Sequence, residues 1–105
     1  MGAQSKESLG NSIEGYKREI ENIKSGAITQ CEKSIESIKK EIECYKRDIK
    51  SNSKNKSLVE QRKRLIESKK REMEKFKDSI KFHKNRIENL KQRIVSAKED
   101  IKKNK

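Results

Sequence analysis

The sequence contains no proline and no tryptophan, and aromatic residues occupy only 4% of its 105 positions. Because proline is absent, no helix interior is forced to kink. Hydrophobic residues make up 29% of the chain and charged residues 44%, so a thick globular core or an apolar ligand pocket is not expected. The composition fits a long-helix assembly or a disordered chain, and we expect no cofactor and no small-molecule substrate.

Cysteine and histidine are also scarce, at two and one residues. Cys31 and Cys44 lie in one predicted helix, where thirteen residues at 1.5 Å each separate them by roughly 20 Å. This distance excludes a disulfide between them, although a bridge between two copies through Cys44 stays open. No Cys-x-x-Cys motif is present, so no metal site is expected. His83 has no nucleophile or carboxylate beside it in the predicted helical seam, so we predict no catalytic residue and no enzymatic activity.

No stretch of the sequence has the long apolar run of a signal peptide or a membrane span. A chain without such segments, whose two cysteines cannot pair with each other, is typical of a reducing compartment. We therefore expect a cytoplasmic location and no membrane span.

The second half of the chain has a sustained heptad repeat. Between Val59 and Ile101, apolar or core-compatible residues recur at alternating gaps of four and three over six heptads. They are Ile66, Met73, Phe76, Ile80, His83, Ile87, Leu90, Ile94, Ala97 and Ile101. A period of about 3.5 residues predicts a helix that packs against another helix as a coiled coil.

A similar repeat runs from Leu9 to Ile49, with one irregularity. Its members are Leu9, Ile13, Tyr16, Ile20, Ile23, Ala27, Cys31, Ile35, Ile38, Ile42, Tyr45 and Ile49. Between Ala27 and Ile35 the pattern contains an extra four-residue step, and Ser25-Gly26 stands at its start. Such a step locally unwinds a left-handed supercoil, and glycine weakens a helix interior. We predict a bend or weak point of the first helix here.

The segment 52–56 has no apolar residue and separates the two repeats. Ser57 and Glu60 after it match a capping box, with Ser57 as the N-cap. We predict one domain, made of a flexible N-terminus over 1–7, helix 1 over 8–51, a loop over 52–56 and helix 2 over 57–104. The fold class is all-α, an antiparallel helical hairpin with coiled-coil packing. Dimerisation into a four-helix bundle is a further expectation, because a lone hairpin is thinly packed.

Position e of the second helix is lysine in every heptad. In this register, position a is Val59, Ile66, Met73, Ile80, Ile87, Ile94 and Ile101, and position d is Arg62, Lys69, Phe76, His83, Leu90 and Ala97. In the first helix, Glu19, Glu41 and Asp48 fall at position g. In an antiparallel pair, e positions face each other across one edge of the seam, so these lysines would share that edge with lysines of the first helix. We name this set the lysine edge; it consists of Lys63, Lys70, Lys77, Lys84, Lys91, Lys98, Lys39 and Lys46. Lys105 continues the same series. A hairpin selected only for its own stability would carry opposite charges there, so the lysine edge is predicted to bind a partner.

The net charge of +12 belongs almost wholly to residues 52–105, which hold 19 basic and eight acidic residues, against ten and nine in residues 1–51. This asymmetry indicates an anionic partner. We expect a protein-protein interaction or structural module that docks an acidic protein surface, or a second copy of itself, through the lysine edge. The alternative is sequence-independent nucleic-acid binding through the same edge. Predominance of lysine over arginine and the scarcity of aromatic residues for base stacking disfavour that alternative. A lysine edge that only keeps the helices soluble is the third explanation.

Overall fold

The computed structural model describes residues 5–103, and within that range the chain is helical apart from a short loop, with no β-strand. Helix α1 spans Lys6–Ile23 and helix α2 spans Thr29–Ser51. Between them, Lys24–Ile28 form a five-residue π-helix, which we call the π segment. Helix α3 spans Lys56–Lys103. The all-α prediction is therefore confirmed for the described part of the chain.

Both helical starts differ from the predicted ones because other side chains provide the caps. Helix α1 begins two residues before the predicted start, since the Ser5 hydroxyl accepts a hydrogen bond from the Ser8 backbone N–H at 3.1 Å. Ser57 is not the N-cap of α3. Instead, the Asn55 side-chain oxygen accepts from the Leu58 N–H at 3.2 Å, and asparagine is as good an N-cap as serine. Residues 1–4 of the predicted flexible N-terminus, and residues 104 and 105 at the other end, lie outside the described residues.

The chain groups into two compact units. The first, which we call the loop unit, consists of residues 29–80. The second, which we call the terminal unit, combines residues 5–28 with residues 81–103. Helix α3 contributes its first half to the loop unit and its second half to the terminal unit.

The loop unit is an antiparallel helical hairpin. Its core is a buried cluster of Ile38, Ile42 and Ile66. Four partly buried residues pack against this cluster: Tyr45, Ile49, Met73 and Phe76. The cluster joins α2 to the first half of α3 through the a and d positions, so the heptad pattern identified the faces that meet.

The terminal unit buries one face of α1 and one face of the second half of α3. Its buried residues are Leu9, Ile13, Ile20, Ile28, Ile87, Leu90, Ile94 and Ala97. Leu90 is the most completely enclosed, with no solvent-accessible surface. All of these except Ile28 were assigned to the predicted seams.

The π segment explains why Ile28 is buried although it is not part of the heptad repeat. From Ile20 to Ile28 is eight residues, one more than a heptad, and Ile28 is buried whereas Ala27 is only partly buried. In an α-helix one extra residue would turn the following face by about 100°, but a π turn takes five residues between bonded groups and absorbs the extra one. The predicted irregularity at Ser25-Gly26 is therefore a one-residue insertion held in a π-helix.

Candidate functional site

All eight residues of the lysine edge are exposed. The loop unit carries five of them, Lys39, Lys46, Lys63, Lys70 and Lys77, and the terminal unit carries Lys84, Lys91 and Lys98. Each unit therefore presents its own set of lysines.

Three of these lysines contact a glutamate one turn earlier on their own helix. The Nζ to carboxylate distances are 3.8 Å for Lys46 with Glu43, 3.7 Å for Lys77 with Glu74, and 3.9 Å for Lys91 with Glu88. These pairs are about half exposed or more, and such exposed helix pairs contribute only about 0.3–0.5 kcal/mol. The glutamates therefore reduce the local positive charge without burying the ammonium groups.

The other five residues of the lysine edge form no ion pair. Within residues 5–103, no carboxylate oxygen lies within 4.0 Å of their ammonium groups. They are Lys39, Lys63, Lys70, Lys84 and Lys98. Their charges remain available to an external anion.

The opposite edge of the loop unit is different, because its charges pair between helices. Arg62 Nε lies 3.0 Å from the Asp48 carboxylate, and Lys69 Nζ lies 3.0 Å from the Glu41 carboxylate. Lys69 also reaches Glu72 on its own helix at 3.5 Å. Their order along the two helices is antiparallel, since the partner of Lys69 on α2 lies farther from the loop than the partner of Arg62.

Arg62 and Lys69 occupy d positions of the seam on α3. Both side chains are only 25% exposed, and both charged groups turn to carboxylates on α2. The Arg62 guanidinium also lies 5.9 Å from the centre of the Tyr45 ring, a cation–π distance. Hydrogen bonding from Lys69 to Glu41 raises the pKa of Lys69, and its partial desolvation only partly opposes this effect.

Sequence reasoning missed Glu41 and Asp48 as partners of the basic residues in the seam. The signal was present, because both acids stand at g positions beside the facing d positions in the antiparallel register. The terminal unit repeats the arrangement, with Arg86 Nη2 3.0 Å from the Glu19 carboxylate. In both units, therefore, interhelical ion pairs occupy the edge opposite the lysine edge.

Residues that would suggest other chemistry are dispersed. Cys31 is half-buried, and Cys44 is exposed with its sulfur 3.8 Å from an Arg47 nitrogen. His83 packs edge-to-face against Phe82 with ring centres 5.5 Å apart. Among the described residues, no group of three or more His, Cys, Asp and Glu side chains is arranged to hold a metal ion.

The arrangement can bind anions electrostatically along the lysine edge. In each unit the lysines at the predicted e positions are exposed, and basic residues of α3 pair with carboxylates of the facing helix. No helix between residues 5 and 103 has both the length and the apolar character needed to cross a bilayer. Comparisons of the chain with protein-family models, curated proteins and solved structures found no match.

Proposed function

We propose that this protein is a non-enzymatic protein-protein interaction module that docks an acidic surface of a partner protein through its lysine edge. The observation that supports this proposal is the separation of charges between the two edges. Acids positioned to reach across the seam neutralise Arg62, Lys69 and Arg86. Lysines on the other edge remain exposed, and five of them have no carboxylate partner within the described residues.

A protein surface is a better fit than nucleic acid for two reasons. Lysine, which supplies all eight cations of the edge, is a flexible point charge without the planar fork that arginine offers to phosphates. Stacking of bases requires exposed aromatic rings, and Phe82 is the large exposed aromatic residue of the described chain, at 69%. It lies at position c, away from the lysine edge.

We further propose that the facing helices of each unit pack as a coiled coil. The buried a and d positions and the interhelical pairs at the seam border support this packing. The low apolar content also supports self-association of the hairpin into a four-helix bundle, since thinly packed helices gain stability by burying more surface.

Charge reversal within the loop unit tests the proposed function. The double substitution Lys63→Glu and Lys70→Glu changes two lysines that have no carboxylate partner and face α2 lysines in the predicted register. We expect circular dichroism to show an intact helical fold, because exposed charge changes of this kind alter stability by only a few tenths of a kcal/mol. Affinity purification from lysate of the native cell, with nuclease treatment, should lose the acidic partner captured by the wild type.

The matched control is Arg64→Glu with Arg71→Glu. These arginines are exposed at f positions, on the side of α3 away from the seam, and their reversal changes the net charge equally. Their variant should retain the partner. The proposal is wrong if both variants behave alike, or if the captured molecule disappears on nuclease treatment. A single-stranded oligonucleotide whose binding is weakened only by the lysine substitutions, and falls steeply with salt, would establish the nucleic-acid alternative.

A further inference from the structure

The terminal unit contains a groove between α1 and the second half of α3, on the edge opposite its lysines. The groove has a volume of about 490 Å³. Leu9, Tyr16 and Ala97 contribute apolar surface, and Ser12, Arg93, Ser96 and Asp100 are among its polar lining residues. Leu9 and Ala97 are already buried, so the groove is mainly polar with a small apolar floor, and it carries charges of both signs.

The groove lies where the interhelical ion pairing stops. Starting from the Glu19–Arg86 pair, one heptad along each helix in the antiparallel sense leads to Ser12 and Arg93. Ser12 therefore occupies the position at which an acidic residue would form the next interhelical ion pair, with Arg93. Arg93 is exposed and has no ion pair or hydrogen bond within residues 5–103. The short Ser12 side chain leaves the groove open and gives Arg93 no ionic partner on α1.

Asp100 completes the pattern on α3. It is exposed, lines the same groove and has no ion pair within the described residues. Arg93 and Asp100 are one heptad apart, so they lie on the same side of the helix about two turns from each other. Between them, Ser96 and Ala97 are small enough to let another helix approach closely.

We propose that this groove is a self-association site, in which α3 of a second copy lies antiparallel to α3 of the first. A two-fold axis near Ser96 would place Arg93 of each copy against Asp100 of the other, because an isologous interface pairs residue i with j and j with i. The opposite charges of one copy are thereby complementary to those of an identical copy. This complementarity favours a second copy over a purely acidic partner, which Asp100 would repel.

The two kinds of contact have different roles in this interface. Exposed ion pairs contribute little to stability, so the reciprocal pairs select the antiparallel register more than they provide affinity. Covering the partly exposed Tyr16, with the little surface that Leu9 and Ala97 leave exposed, adds a limited hydrophobic contribution. Substitutions that place like charges together should still separate the copies, since like-charge contacts across an interface are strongly unfavourable.

A charge exchange tests the pairing directly. Sedimentation equilibrium of the wild type should show a concentration-dependent dimer. Arg93→Asp alone leaves two acids per groove, and Asp100→Arg alone leaves two bases, so each variant should dimerise at least about tenfold more weakly. Mixing the two variants, one with a mass tag, should form the heterodimer in native mass spectrometry, because the introduced aspartate of one copy then faces the introduced arginine of the other. The double variant should dimerise like the wild type.

Lys81→Asp is the control for net charge, since Lys81 is exposed in the same unit and does not line the groove; it should dimerise normally. Where a charge reversal prevents folding, Arg93→Gln and Asp100→Asn replace it, and each should weaken the dimer. The inference is overturned if the wild type stays monomeric up to its solubility limit, if the groove variants dimerise like the wild type, or if the mixed variants fail to associate. Partner capture by the lysine edge is a separate readout, so either proposal can fail alone.

Discussion

At the scale of single residues, burial is concentrated in a few side chains. Leu90 has no exposed surface, while most of the other buried residues of the described chain retain a few per cent. In a unit only two helices thick, one such leucine contributes a large share of the available core. We therefore expect stability to depend strongly on Leu90 and weakly on apolar residues that are already exposed.

Leu90→Ala should lower the free energy of unfolding by about 2–5 kcal/mol, the range for removing a buried leucine side chain. Urea denaturation followed by circular dichroism measures this change. Val95→Ala is the control, because Val95 is 49% exposed on the same helix, and surface substitutions stay within about 0.5 kcal/mol. Equal effects of the two substitutions would contradict the burial of Leu90.

The Lys69–Glu41 pair predicts a pH dependence. Its hydrogen bond raises the pKa of Lys69 above the ordinary value of 10.5. The charged lysine is therefore bound more favourably in the folded state, and the resulting stability is fully present below pH 10.5 and is lost as the pH rises through the raised pKa. Glu41→Gln removes this contribution.

Thermal unfolding of the wild type and Glu41→Gln between neutral and strongly alkaline pH measures the effect. The difference in melting temperature should be constant at neutral pH and should shrink above the ordinary lysine pKa. Glu43→Gln provides the comparison, because Glu43 contacts only an exposed lysine on its own helix, at 3.8 Å. A wild-type advantage that grows with alkaline pH would contradict the assignment.

At the scale of secondary-structure elements, the π segment interrupts the α-helical hydrogen-bonding pattern between α1 and α2. Gly26 lies within it with a negative φ, and no heavy atom outside the local helix backbone lies within 4 Å of the position that a Cβ would occupy. The Ser25 hydroxyl donates to the Glu21 carbonyl at 2.9 Å. Glycine is therefore not required at position 26 by its conformation or by its neighbours.

Gly26→Ala should raise the free energy of unfolding, by up to about 1 kcal/mol, because alanine loses less conformational entropy in a helix. Differential scanning calorimetry measures the corresponding rise in melting temperature. Gly15→Ala in α1 is a matched control, since its Cβ position is equally open, and it should show a similar rise. A lower melting temperature for Gly26→Ala alone would mean that the π turn depends on glycine.

At the scale of the whole molecule, the sequence predicts which helical faces are buried better than it predicts which residues those faces contact. The heptads correctly predict the burial of Ile66, Ile87 and Ile94, because the 3.5-residue period is a strong signal. They do not predict Ile28, since only a π turn brings it to the buried face. They also do not predict the two-unit grouping, because the repeat passes from Ile80 to Ile87 without a break in its period.

Some features of the candidate site could likewise be predicted from the sequence, and others could not. Exposure of the eight lysines follows from their heptad position and needs no structure. The neutralisation of Arg62 and Lys69 required the antiparallel register and the side-chain directions of Asp48 and Glu41, which composition does not determine. The groove beside Arg93 arises from the absence of an acid at Ser12, and this becomes visible only after Glu19 and Arg86 define the local register.

The π segment also has a consequence for changes in chain length. A single-residue insertion elsewhere in α1 or α2 would turn every later side chain of that helix by about 100° away from its partner. Within Lys24–Ile28 the insertion is absorbed, and both flanking faces keep their partners. The segment is therefore the part of the first half of the chain where a change of one residue in length can be accommodated. Removal of one of these five residues should give a plain α-helix with an uninterrupted heptad.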